Sequence, residues 1–347
     1  MAQINKPNLH FNTVLYTGNG STQSVTGVGF QPDWVWVKER TSTSSHQVAD
    51  AVRGYNKRVQ VNSTAEEQVD SSPYNDFKSF DSDGFSIGTG GGVNENSQTY
   101  AAWNWKANGA GSANTDGDIN STVSANTTSG VSIITYSGNG SGSQSIGHGL
   151  GTKPKVLIVK CRTGGAESWV WWQDTSGNGT ADQRLLLSGT QANYGNNLAT
   201  FQNTTFTTPS TNDTAWNGGS GTYVAYAFAE KKGFSKFGKY DATGTSSDGP
   251  FIYTGFPPAF VIIKRFNSTE NWYIFNDKLD SINPSESVLY PNLNNSTGSL
   301  SGGIDLLSNG FKIRSNNSAV GAGDNYVFLA FAAQPLVGTN DIPTTAR

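Results

Sequence analysis

The sequence predicts an all-β fold: three tandem antiparallel β-sandwich repeats, jelly-roll-like, of about 100 residues each. Three observations predict it. First, one strand is written three times, as Pro32-Asp-Trp-Val-Trp-Val-Lys38, Pro154-Lys-Val-Leu-Ile-Val-Lys160 and Pro258-Ala-Phe-Val-Ile-Ile-Lys264. Second, each closing lysine is followed at a near-constant interval (62, 63 and 62 residues) by a strand that opens on Tyr100, Tyr223 or Tyr326. Intervals held that closely mark one folded unit repeated. Third, glycine, serine, threonine and asparagine abound, methionine occurs once, and nine Trp, thirteen Tyr and eighteen Phe supply large apolar area per residue. That is the composition of short strands joined by turns, with no helical period.

In chain order, residues 1–13 read as a polar N-terminal arm and 14–107 as the first repeat. Gly18-Asn-Gly20 follows Val14-Leu-Tyr16 and predicts a hairpin, because Asn-Gly tolerates positive φ. The return strand falls near 24–28. Pro32 then opens the signature strand, a first position where a missing N–H costs nothing. Val35 and Val37 take one face and Trp34 and Trp36 the other, so both faces are to be covered. Lys38 is read as the point where the strand reaches water. A strand near 58–61, a turn at Phe80-Asp-Ser-Asp-Gly-Phe85 and the strand from Tyr100 to Trp105 complete the unit. Residues 108–130 are rich in Gly, Ala, Asn, Ser and Thr without periodicity and read as a flexible linker.

The second repeat covers 131–231, with Trp169-Val-Trp-Trp172 and Arg184-Leu-Leu-Leu187 as strands. The joint at 230–233 is short, which predicts tighter coupling of repeats two and three than of one and two. The third repeat covers 232–335, and 336–347 is a polar C-terminal tail. In the closing strands Trp103, Trp105, Tyr226, Phe228, Leu329 and Phe331 share one pleat face and should enter the core. Ala102, Ala225, Ala227 and Ala330 on the other face admit a close neighbouring layer.

Charge is sparse, 23 basic against 26 acidic residues, with no basic stripe, which argues against a nucleic-acid groove or an anionic membrane surface. The N-terminus carries no apolar core of a secretory signal, and no apolar run approaches membrane-spanning length. Asn62, Asn126, Asn203 and Asn267 begin Asn-x-Ser/Thr triplets, read as products of composition. A single cysteine, Cys161, excludes an intrachain disulfide and reads as a buried hydrophobe, since a catalytic thiol wants a nearby histidine.

Few groups suggest chemistry. Asp81-Ser-Asp83-Gly84 resembles the start of a calcium loop but lacks its closing glutamate, and Asp116-Gly-Asp118 stands alone. His10, His46 and His148 lie in unrelated contexts; His148 reads as part of a hairpin. Gly88–Gly92 follows a strand but opens no helix, which argues against a phosphate cradle. Glu66-Glu67, the one adjacent glutamate pair, reads as a solvated loop. Trp169, Trp171, Trp172, Trp272 and Tyr273 could stack on sugar rings, but alternation places them in the core. No catalytic, cofactor-binding or metal-binding residue is assigned, and no cofactor is expected.

The stretch Leu15–Arg40, together with Ser79-Phe-Asp-Ser-Asp-Gly-Phe85 and Ala102-Trp-Asn-Trp-Lys106, resembles a repeated domain of uncharacterised function in virion proteins of tailed, especially marine, bacteriophages. The resemblance is most specific in the first repeat and weakest in the third. It implies a non-enzymatic protein on the particle exterior, assembled in the host cytoplasm: a tail-fibre or receptor-contact component, or else a capsid-decorating protein docked by residues 1–13. A carbohydrate-binding or polysaccharide-cleaving module is the alternative of another class. The implied partners are other virion proteins of tail or capsid and a host-surface glycan or receptor, with no nucleic acid and no membrane insertion. Three repeats in one chain leave open a homo-oligomer, such as a trimeric fibre, or a pseudo-symmetric monomer.

Overall fold

Antiparallel pairing dominates the computed structural model, which describes residues 3–70, 76–246 and 249–336. The first unit holds β1 (Phe11–Thr17), β2 (Gln23–Thr26), β3 (Trp34–Glu39), β4 (Gln47–Asp50), β5 (Lys57–Gln60), β6 (Gln68–Val69), β7 (Phe77–Asp81), β8 (Gly84–Ile87) and β9 (Thr99–Trp105). Next come β10 (Ser112–Asn114), β11 (Ser121–Asn126), β12 (Val131–Ser137), β13 (Ser145–Gly147), β14 (Val156–Thr163), β15 (Val170–Gln173), β16 (Gln183–Leu186), β17 (Thr200–Phe201), β18 (Thr205–Thr207) and β19 (Thr222–Phe228). The last unit holds β20 (Ser235–Asp241), β21 (Phe251–Tyr253), β22 (Phe260–Arg265), β23 (Trp272–Asn276), β24 (Ser285–Val288), β25 (Gly298–Leu307), β26 (Gly310–Ile313) and β27 (Asn325–Phe331).

Each unit pairs a large sheet with a small one. The large sheets run β1-β9-β3-β4-β5-β6, β10-β11-β12-β19-β14-β15-β16 and β20-β27-β22-β23. The small ones run β2-β8-β7, β13-β18-β17 and β21-β26-β25-β24. First, last and third strands side by side is a jelly-roll feature. The order then departs from one, because β3 turns straight into β4 in the same sheet instead of crossing to the facing sheet. Equivalent registers recur: Tyr16↔Tyr100, Tyr136↔Tyr223 and Tyr240↔Tyr326. In each pair the rings stack at 5.0 Å.

The pleat faces divide as the alternation predicts. Val35, Val37, Tyr100 and Ala102 pack on Val25, Phe85 and Ile87 of the small sheet. Ala225 and Ala227, and likewise Ala330, face the small sheets of their own units. The opposite faces do not meet water. Trp34, Trp36, Trp103 and Trp105, then Ile158, Trp171, Tyr226 and Phe228, then Phe260, Ile262, Leu329 and Phe331 all join one buried cluster. Ring contacts connect every pair of units: Trp34 with Tyr226 at 4.4 Å, Phe228 with Phe331 at 5.7 Å and Phe11 with Phe260 at 5.6 Å. The units therefore do not lie in a row. Their large sheets close around a shared aromatic core with approximate threefold repetition.

Several local expectations are corrected. Residues 108–130, expected as a flexible linker, contain β10 and β11, which extend the second large sheet; Ser121 pairs with Tyr136 and Asn126 with Val131. The arm is not free either. Ile4 is 8% exposed and joins the central cluster, its N–H reaches Lys232 O at 2.9 Å, and Phe11 is fully buried. Gly18-Asn-Gly20 is a crossover rather than a hairpin, since β1 and β2 belong to different sheets. Asn94 fastens it by donating Nδ2 to Ser21 O (2.5 Å) and Gly88 O (2.6 Å). Glycine is required at 18 because a Cβ would stand 2.2 Å from Glu95 O. His148 lies beyond a strand whose partner, β18, is remote in sequence, so it is no part of a hairpin. The C-terminal tail lies, but for Leu336, outside the described residues.

Candidate functional site

The seams between units are built from side chains that reach across them. Lys38, Lys160 and Lys264 lie on the inward pleat face beside Ala101, Val224 and Val327 and are fully buried, so Lys38 is not at water as expected. Lys160 Nζ donates to Thr64 O of the first unit (2.9 Å) and to Glu167 O (2.6 Å). Lys264 Nζ donates to Thr190 O of the second unit (3.2 Å) and Arg265 O (2.5 Å), and Lys38 Nζ to Glu39 O (2.5 Å). Burial lowers each ammonium to a pKa of about 8.

Two further rings of contacts run around the body. Trp169 Nε1 donates to Gln60 O (2.8 Å) and Trp272 Nε1 to Leu186 O (2.9 Å), each onto the preceding unit. His46 occupies the corresponding place in the first unit and closes the ring, its Nε2 lying 2.8 Å from Tyr290 O. In the other direction, each onto the following unit, Asp50 accepts from Tyr226 (2.8 Å), Gln173 donates to Gly238 O (3.0 Å) and Asn276 donates to Thr13 Oγ1 (2.9 Å). The offset of His46, Trp169 and Trp272 from their lysines (8, 9 and 8 residues) is a signal in the sequence that could have placed His46 at a seam.

Most groups singled out for chemistry are spent internally. Cys161 is buried, donates to Thr163 O (3.2 Å), and burial pushes its thiol upward. Asp83 accepts the N–H groups of Gly27 (3.1 Å) and Gly29 (2.6 Å), and Asp81 accepts from Ser79 and Ser86 (2.7 Å each). Asp118 accepts from Ser145, and Asp116 accepts from Asn114. His10 packs edge-on against Phe234, and His148 accepts the N–H of Leu150. Glu66 is exposed, but Glu67 is not solvated: its side chain is 6% exposed and binds Arg53 of its own unit (3.0 Å) and, across the first seam, Arg162 (2.8 Å). Burial alone would raise Glu67; the two guanidinium groups outweigh it and hold the carboxyl below its usual range. Arg53 also pairs with Asp50 (2.5 Å), so the seam between the first two units carries a buried ionic cluster. Trp169, Trp171, Trp172, Trp272 and Tyr273 are all buried, so none offers a ring face to sugar. Among the described residues no three His, Cys, Asp or Glu gather as metal ligands.

The outer surface of the third unit carries a concavity of about 670 Å³, which sequence reasoning missed because its walls come from four separate segments. Pro257 and Pro258, the 277–285 stretch, Leu306–Ser308 and Gln334–Leu336 line it. Asn283 pairs its amide with Leu306 N and O (2.9 Å each), continuing the edge of β25, and Ile282 is 78% exposed. The groove is large enough for a small-molecule or chain segment.

Residues 6–335 match one family model, described as a domain of unknown function (DUF7483). The chain belongs to that family. The DUF7483 match runs as one span across all three units. No curated protein and no solved structure matches the chain. No helix among the described residues is long and apolar enough to cross a membrane.

Proposed function

We propose that this DUF7483 chain is a non-enzymatic structural protein of a bacteriophage virion, working as a tail-fibre or receptor-contact component on the particle exterior. The observation that carries the reading is how the polar groups are used: lysines, histidines and acidic residues hold strands and seams together, while loops and a groove face outward. Such a body suits adhesion or cover. A core of aromatics is insensitive to ionic strength, because apolar burial is not screened by salt. The resemblance of Leu15–Arg40 to the repeated domain of tailed-phage virion proteins supports the same reading.

Capsid decoration through residues 1–13 is less favoured, since Ile4 and Phe11 are committed to the chain's own core. Mass spectrometry of gradient-purified particles and immunogold labelling test the proposal. Label at the tail supports it, label on the head favours decoration, and absence from purified particles refutes both.

A further inference from the structure

Five of the seven described arginines are paired with carboxylates: Arg53, Arg58, Arg162, Arg265 and Arg314. Arg184, on β16, has no such partner. Its guanidinium carbon lies 4.8 Å from the ring centroid of Tyr194 and 4.9 Å from that of Trp216. Trp216 is fully buried and braced edge-on by Trp172 at 5.5 Å, so it gives the cation a fixed floor. Tyr194 is 44% exposed. Its loop is pinned: Asn193 Oδ1 accepts the N–H groups of Arg184 (2.8 Å) and Gly195 (3.2 Å), and Tyr194 N–H donates to Arg184 O (3.1 Å). Arg184 makes one long side-chain hydrogen bond, Nη1 to Asn196 Oδ1 at 3.5 Å, and its buried Nε has none. Asp213 acts on the cation only through space, and its own Oδ1 accepts the N–H of Ala215.

We propose that Arg184, Tyr194 and Asn196 form a recognition site for a carboxylate-bearing sugar ring, an acidic saccharide of the uronic type. A guanidinium offers a planar fork matched to a carboxylate, and one already held over aromatic rings loses little freedom on binding. The exposed face of Tyr194 suits the C–H face of a pyranose, and the Asn196 amide suits a hydroxyl. A lone phosphate would use the fork but leave the tyrosine face idle. The site deepens the adhesion reading and rests on it for its biological setting.

The test is titration of the full chain, by calorimetry and by the arginine side-chain N–H signals in NMR, with trigalacturonate, its neutral methyl ester and inorganic phosphate. Trigalacturonate is expected to bind saturably and the ester about tenfold more weakly. Arg184→Lys, which keeps charge and loses the fork, and Tyr194→Ala, at an exposed ring, should each weaken acid-saccharide binding about tenfold while near-UV circular dichroism is unchanged. Absence of saturable binding, equal binding of the ester, insensitivity to both substitutions, or displacement of the saccharide by equimolar phosphate would overturn the site. Particle localisation without binding would sink the site alone; binding by a chain absent from particles would sink the adhesion reading alone.

Discussion

Three buried lysines make stability depend on pH in an unusual direction. An unfolded lysine titrates near 10.5, whereas Lys38, Lys160 and Lys264 titrate near 8 in the fold. Between those values the unfolded chain holds protons that the folded chain has released, so stability rises with pH. Each group contributes up to about 1.4 kcal/mol per pH unit in that window, and the three together about 4. From pH 7 to pH 10 the gain is about 2.5 kcal/mol per lysine. Above pH 10 the trend reverses, because Tyr100 and Tyr223, pushed up by burial, ionise more readily once unfolded. Urea unfolding at fixed ionic strength, followed by tryptophan fluorescence at half-unit steps from pH 7 to 11, measures the curve. Lys160→Met should flatten the rise by about a third. A curve that is level or falling between pH 8 and 10, or a Lys160→Met curve parallel to the parent's, would refute the placement of these ammonium groups inside the seams.

Three other perturbations follow from the geometry. Glu67→Gln leaves Arg53 and Arg162 without their shared carboxylate and should cost about 3–5 kcal/mol in urea unfolding. Gly18→Ala drives a Cβ into Glu95 O and should cost about 1–3 kcal/mol, whereas Gly91→Ala, with open space around it, should stay within about 1 kcal/mol of the parent. His46, pushed well below its usual pKa by burial and by Lys38, is held neutral. Stability should therefore fall as pH drops below about 6.5, and His46→Gln should blunt that loss in thermal melts between pH 7 and 5.

The alternation of Trp34 and Trp36 with Val35 and Val37 announced a strand covered on both faces, and it is. What it did not announce was the cover. A period-two pattern records burial, not the identity of the neighbour, so sandwich and seam look alike in one strand. Lys38 reads as an exit to water because a charge at a strand end usually surfaces, yet it and its counterparts Lys160 and Lys264 are buried. The acceptors that make burial tolerable for Lys160 and Lys264, Thr64 O and Thr190 O, lie 96 and 74 residues away in the chain. β10 is an edge strand that buries none of its residues, and two of the three residues that β11 buries, Ser121 and Ser124, are serines, so the run reads as loop. Asn-Gly at 19–20 is a local hairpin signal, and here tertiary structure overrode it: β1 is claimed by β9 and β2 by β8. Arg184 and Tyr194 carried no local signal, since their partnership depends on Trp216 from a later loop.

A truncation at the centre of the body tests the closed arrangement most directly. Phe331 touches Phe11 and Trp105 of the first unit, Phe228 of the second, and Phe237 of its own. Hydrogen exchange on Phe331→Ala, resolved by strand, should show protection falling by a similar increment, about 3–5 kcal/mol, in β9, β19 and β27 alike. Loss confined to β27 and its sheet neighbours would show three independent domains and contradict the shared core.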